Sequence, residues 1–162
     1  MTGVESAMGA VTEAVFASAL GCRVRPTSQV VEVQDGRPLV AGCVQLAGAW
    51  EGALIVLCDA ALARRAAAIM LGVEENAVSP DEAQDALGEL ANMIGGSLQG
   101  VLPRPCRVMF PVALAGTGFG MAGSRTVGRF TAECEGWLLQ VALVQRVRGR
   151  RLKAGAEEAE SQ

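Results

Sequence analysis

The chain has 162 residues, 51% of them hydrophobic, enough for one domain with a real core and too many for a disordered chain. A formal net charge of −3 argues against nucleic acid or an anionic membrane as the main partner. There is no histidine, which excludes Ser-His and Cys-His nucleophile pairs and most catalytic zinc sites.

Residues 3–20 read as a helix, with Met8, Val11, Val15 and Leu20 at helical spacing and Gly21 able to end it. Three strand-like runs follow, at about 22–33, 38–47 and 50–58. Asp35-Gly36 is a tight-turn dipeptide, and Gly48 to Gly52 makes the second turn. Asp59 suits an N-cap for a short helix, Ala60 to Leu71, stopped by Gly72. A longer helix begins at Ser79 as N-cap, with Pro80 in the first position and Glu82 completing a capping box. It is expected to run to about Leu102 and to stop before Pro103. Strands are expected at about 106–115, 124–134 and 137–147.

These elements form one domain over residues 1–148, followed by a loose C-terminal tail, 149–162. The basic run from Arg146 to Lys153 is followed by Glu157, Glu158 and Glu160, and the whole reads as a solvated chain end. The five cysteines are odd in number and lack a Cys-x-x-Cys spacing. They read as buried reduced thiols, and no run approaches a membrane span, so a cytoplasmic location is expected. Gly116 to Gly123 is glycine-rich but lacks the P-loop lysine and lies between strands, so it reads as a long turn.

The chain repeats itself. Cys22-Arg23-Val24 recurs as Cys106-Arg107-Val108, and Glu51-Gly52 as Glu135-Gly136, at the same offset. Each half therefore reads as a helix and three strands. The expected fold is α/β of the α+β kind, an antiparallel sheet with helices on one face and the long helix exposed on one side. Aligning Glu13 with Glu89 sets Phe16 against Asn92, so only the second half carries an acid and an amide three residues apart.

On a helical wheel Leu87, Leu90, Ile94, Leu98 and Val101 form the expected core stripe of the long helix. Asp85, Glu89, Asn92, Gly96 and Gln99 lie opposite, with no lysine or arginine among them. Gly88, Gly95 and Gly96 each cost a helix about 0.5–1 kcal/mol relative to alanine. Such losses are tolerated where something approaches the backbone closely, either a partner or a neighbouring element of the same chain. An acid beside an amide on a solvent face suits the positioning of a water, and a merely solvated face is the alternative.

The run Asp85-Ala-Leu-Gly-Glu89-Leu-Ala-Asn92-Met-Ile-Gly-Gly96 resembles the signature of the CheC/CheX/FliY family of chemotaxis phosphatases. That signature is a glutamate, an asparagine three residues later and glycines one turn on. The Trp50-x-Gly52 strand start, the Asp59 helix with Ala63-Arg64-Arg65 and the Cys106-Arg107 strand are similar to the CheX branch. The resemblance covers residues 5–147, and a single matching helix is the CheX form. It implies a CheC-like fold and hydrolysis of the aspartyl phosphate on a CheY-type response regulator. Asn92 would hold the attacking water, and Glu89 would pair with the regulator's active-site lysine. Asp85, Gly96 and Gln99 would be partner-binding. No cofactor of its own is implied; Mg2+ is expected on the regulator. A homodimer joined at sheet edges is also implied, with neither nucleic acid nor membrane as partner. The rival expectation is a non-catalytic docking module for a regulator or a flagellar switch component.

Overall fold

The structure is a computed structural model that describes residues 3–29, 31, 38–112 and 124–147. Helix α1 spans Gly3–Leu20 and strand β1 spans Val24–Pro26. Strands β2 (Leu39–Gly48) and β3 (Gly52–Asp59) precede helix α2 (Ala60–Leu71). Helix α3 (Pro80–Leu98) is followed by β4 (Cys106–Val112), β5 (Ser124–Cys134) and β6 (Trp137–Arg146). All strand pairs are antiparallel, and the sheet order is β1-β5-β6-β3-β2-β4.

That order carries the internal repeat. From the central β3–β6 pair, one half runs outward as β3-β2-β4 and the other as β6-β5-β1. Exchanging the two halves leaves the order unchanged, as expected for two copies of helix plus three strands related by an approximate two-fold. The helices pack on one face, where Val44, Leu46, Leu54 and Val56 join Leu87, Leu90, Ile94 and Leu98 in the main core. Ala41, Cys43, Ala53, Ile55 and Leu57 point to the other face, in a second, smaller cluster. The alternation is the two-residue period of the strands.

The caps form as their residues dictate. The Asp59 carboxylate accepts from the Ala61 N–H at 2.8 Å, and Gly72 ends α2 in the left-handed conformation at φ 70°. At the start of α3 the Ser79 hydroxyl accepts from the Glu82 N–H at 3.1 Å, while the Glu82 carboxylate accepts from the Ser79 N–H at 2.9 Å. The β5–β6 hairpin turns at Glu135-Gly136, with φ 51° and 87°. Arg65 Nε donates to Glu135 Oε2 at 2.7 Å and ties α2 to that turn.

Several expectations need correction. Among the described residues the first strand is Val24–Pro26, shorter than the expected run 22–33, and it pairs with β5 rather than with β2. β1 pairs with β5, whereas β2 lies between β3 and β4, so the intervening chain joins strands that are not neighbours. Asp35-Gly36, the glycine-rich Gly116 to Gly123 and the tail 149–162 lie outside the described residues. The α-helical part of α3 ends at Leu98, and Gln99–Val101 tightens into a 3-10 turn. The tighter winding carries Val101 off the core stripe, and it is 53% exposed.

A Cβ on Gly128 of β5 would meet the Met8 sulfur at 2.9 Å, whereas one on Gly42 of β2 would meet the Leu87 backbone. Phe16 is a buried core residue, whereas Asn92 is half-buried. Helix α1 contains Glu5 and Glu13 but no asparagine or glutamine.

Candidate functional site on helix α3

The site follows from how α3 is held. Its inner face buries Leu87, Leu90, Ile94 and Leu98, each at most 1% exposed. Burying such a side chain contributes about 1.5–3 kcal/mol, so the helix is fixed in rotation as well as in place. The glycines divide by role. Gly88 and Gly95 are buried, and a Cβ on Gly95 would stand 3.0 Å from Val44 Cγ1, so Gly95 lets the helix approach the sheet. Gly96 is exposed, and a Cβ there would meet nothing within 4 Å. Only Gly96 leaves bare backbone toward solvent.

The outer face brings Asp85, Glu89, Asn92 and Gly96 onto one side. Asp85, Glu89 and Gly96 are exposed, and Asn92 is half-buried at the shoulder. Asp85, Glu89 and Asn92 have no hydrogen-bond or ion-pair partner among the described residues. Gln99 behaves differently. Its amide nitrogen donates to the Gly96 carbonyl at 3.1 Å, and its amide oxygen accepts from the Val108 N–H at 3.1 Å. Gln99 therefore clamps the end of α3 to β4, with its polar atoms engaged inside the chain.

Electrostatics on this helix are one-signed. Its acids are Asp81, Glu82, Asp85 and Glu89, and it contains no lysine or arginine. Asp85 and Glu89 stand one turn apart, a like-charge arrangement that costs an isolated helix about 0.2–0.5 kcal/mol. Nothing among the described residues offsets that cost, so the pair is free to meet a cation from outside. Asn92 adds both a donor and an acceptor beside Glu89. An acceptor for a water next to an anchor for a cation, on an open helix surface, suits a macromolecular substrate.

No group of three or more histidine, cysteine or acidic residues among the described residues could hold a metal ion. No helix among them is long and apolar enough to cross a membrane. Trp50 is buried at the start of β3, in keeping with a packing role. The five cysteines are free thiols, four of them buried and Cys106 half-buried.

One surface residue escaped the reading of the sequence. Met93 follows Asn92 and is 38% exposed, on the same side as Glu89 one turn earlier. The available signal was its place outside the core arc defined by Leu90 and Ile94.

Comparison with known proteins identifies the family and the fold. The family model described as "Chemotaxis phosphatase CheX" matches residues 40–135. No curated protein matches the sequence. Among solved structures, the chemotaxis protein CheX from Vibrio vulnificus is 18% identical, with TM-score 0.66, covering 88% of this chain and 97% of that one. A CheX from Desulfovibrio desulfuricans is 16% identical, with TM-score 0.66, covering 90% of this chain and 100% of that one. The CheX in a CheX–CheY–BeF3–Mg2+ complex from Borrelia burgdorferi is 16% identical, with TM-score 0.63, covering 87% and 96%. At such identities the structures establish a shared fold. With its sheet order, its capped α3 and a family match over more than half its length, the chain belongs to the CheX family of chemotaxis phosphatases.

Proposed function

We propose that this chain is a phosphatase that hydrolyses the aspartyl phosphate of a CheY-type response regulator. The observation that carries the reading is the unpartnered Glu89 and Asn92 pair on the outer face of a helix fixed by its buried side. An aspartyl phosphate is an acyl phosphate, so its carboxylate is a good leaving group. Water oxygen forms a bond to phosphorus, the bond to the aspartyl oxygen breaks, and inorganic phosphate leaves with the aspartate restored. Catalysis in such transfers is mainly positioning plus electrostatic stabilisation. The Asn92 amide orients the water in line with the bond that breaks. Glu89 pairs with the lysine of the regulator and sets the approach of the helix. Asp85 and Gly96 lie in the docking face.

The metal of this reaction comes with the substrate. The Borrelia structure contains CheX, CheY, BeF3 and Mg2+ together, which supports the same division of labour here. A cytoplasmic protein fits such a substrate. A homodimer joined at a sheet edge is part of the same reading: β4 pairs only with β2, and its outer side has no strand among the described residues. Light scattering of the purified chain tests the dimer.

The decisive assay is the decay of a phosphorylated CheY-type regulator, with and without the chain, alongside Asn92→Ala. Acceleration by the wild type, lost in Asn92→Ala while binding persists, is the expected result. Binding without acceleration by the wild type would replace this reading with a docking module.

A further inference from the structure

We propose that Met93 is the apolar docking residue through which this chain recognises the receiver domain of its phosphorylated regulator, an inference that rests on the phosphatase reading above. On α3 the other large apolar side chains, Leu87, Leu90, Ile94 and Leu98, are at most 1% exposed, whereas Met93 is 38% exposed. A core function does not account for its chemistry there. It follows Asn92 directly and lies one turn after Glu89, so its flexible side chain leans back along the helix toward Glu89. Its neighbours one turn on, Gly96 and Ser97, are small and exposed, so nothing on α3 beyond it shields it from an approaching surface.

The face around Asn92 therefore has two chemically distinct halves. The N-terminal half carries the free carboxylates Asp85 and Glu89, with no lysine or arginine on the helix. The other half carries Met93, with the exposed backbone of Gly96 one turn on. Charge complementarity demands a cation opposite the first half. Removal of apolar area from water demands an apolar side chain opposite the second, about one helical turn or 5–6 Å away. A receiver domain presenting the lysine of its phosphorylation site beside an apolar surface residue meets both demands. The carboxylate half attracts and orients; the Met93 half supplies short-range contact and discriminates between regulators. Methionine is pliable, so it tolerates modest differences in the opposing residue.

The test uses the full chain and the receiver domains encoded in the same genome, loaded with beryllium fluoride and Mg2+. Binding is measured by calorimetry and hydrolysis by steady-state kinetics for the wild type, Met93→Ala, Met93→Leu and Leu71→Ala. Leu71 is the control, an apolar residue on α2 that is 51% exposed. Loss of an interface anchor raises KM about tenfold and weakens binding equally, with kcat retained. Met93→Leu restores both, and Leu71→Ala changes neither. A wild type that binds and hydrolyses, with Met93→Ala equal to it, overturns the proposal and leaves the phosphatase reading intact. Met93→Ala that alters self-association with KM unchanged also overturns it, because the residue then faces a second copy. A wild type that neither binds nor hydrolyses removes the phosphatase reading, and the proposal with it.

Discussion

Gly42 of β2 lies directly beneath the peptide joining Leu87 to Gly88, so that a Cβ on Gly42 would collide with the Leu87 carbonyl. This contact sets the height of α3 above the sheet at the turn that leads into Glu89. The obstacle is backbone, which cannot rotate away as a side chain can. Gly42→Ala should therefore lift the helix or unpair the strand. Overpacking of this kind costs about 1–3 kcal/mol and occasionally more. For a chain of this size that is a fall in Tm of roughly 3–9 °C, measurable by thermal unfolding. Hydrolysis should fall in the folded fraction as well, because Glu89 and Asn92 ride on the displaced helix.

The buried thiols predict a loss of stability at alkaline pH. Burial pushes Cys43 from the ordinary thiol value of 9.0 up to about 11. Burial first, with help from nearby Cys22, pushes Cys134 up to about 12. These groups stay neutral in the folded chain while the unfolded chain ionises, so the unfolded state binds fewer protons above pH 9. Their contribution is full below about pH 9 and declines as pH rises, toward about 11 for Cys43 and about 12 for Cys134. Each thiol adds a slope of about 1.4 kcal/mol per pH unit in its window. Urea midpoints at pH 8, 9 and 10 should fall progressively, and Cys43→Ala should flatten the decline. Equal midpoints across that range would show that these thiols ionise as readily in the folded chain.

Gly96 separates stability from function. Alanine there would meet nothing within 4 Å and would favour the helix by about 0.5–1 kcal/mol. Gly96→Ala is thus expected to raise the urea midpoint and to weaken binding of the regulator. A variant that is both more stable and fully active would show that bare backbone at this position serves no partner.

Much of this is legible in the sequence. The capping box at Ser79 and Glu82 and the glycine stop at Gly72 are local, and they formed as written. The wheel separated Leu90 and Ile94 from Asp85 and Glu89 because one helix period is enough to assign a face. What escaped depends on distant partners. The run 22–33 has strand composition, but its pairing with β5 spans only three residues of β1. Gly88, Gly95 and Gly96 look alike in sequence, yet packing against β2 and β4 assigns the first two to the sheet and leaves the third to solvent. Gln99 looked free on the wheel; β4 supplies the Val108 N–H that occupies it.

Glu89 makes the sharpest electrostatic prediction. It is exposed and unpartnered in the free chain, so replacing it removes no internal contact, and surface changes of this kind alter stability by less than about 0.5 kcal/mol. Glu89→Gln keeps the shape and deletes the charge. If the carboxylate meets the regulator's lysine, affinity should fall about tenfold and association should slow at low ionic strength. The variant should also lose part of the salt dependence that the wild type shows, since an interfacial charge pair is screened over about 10 Å at 0.1 M. Glu89→Lys should be worse than Glu89→Gln, because it sets two cations against each other. Asn92→Ala should leave the salt dependence unchanged while removing hydrolysis. These two variants therefore assign attraction and chemistry to different side chains of one helical turn. Salt dependence undiminished in Glu89→Gln would move the attraction to Asp85 and leave Glu89 without its assigned partner.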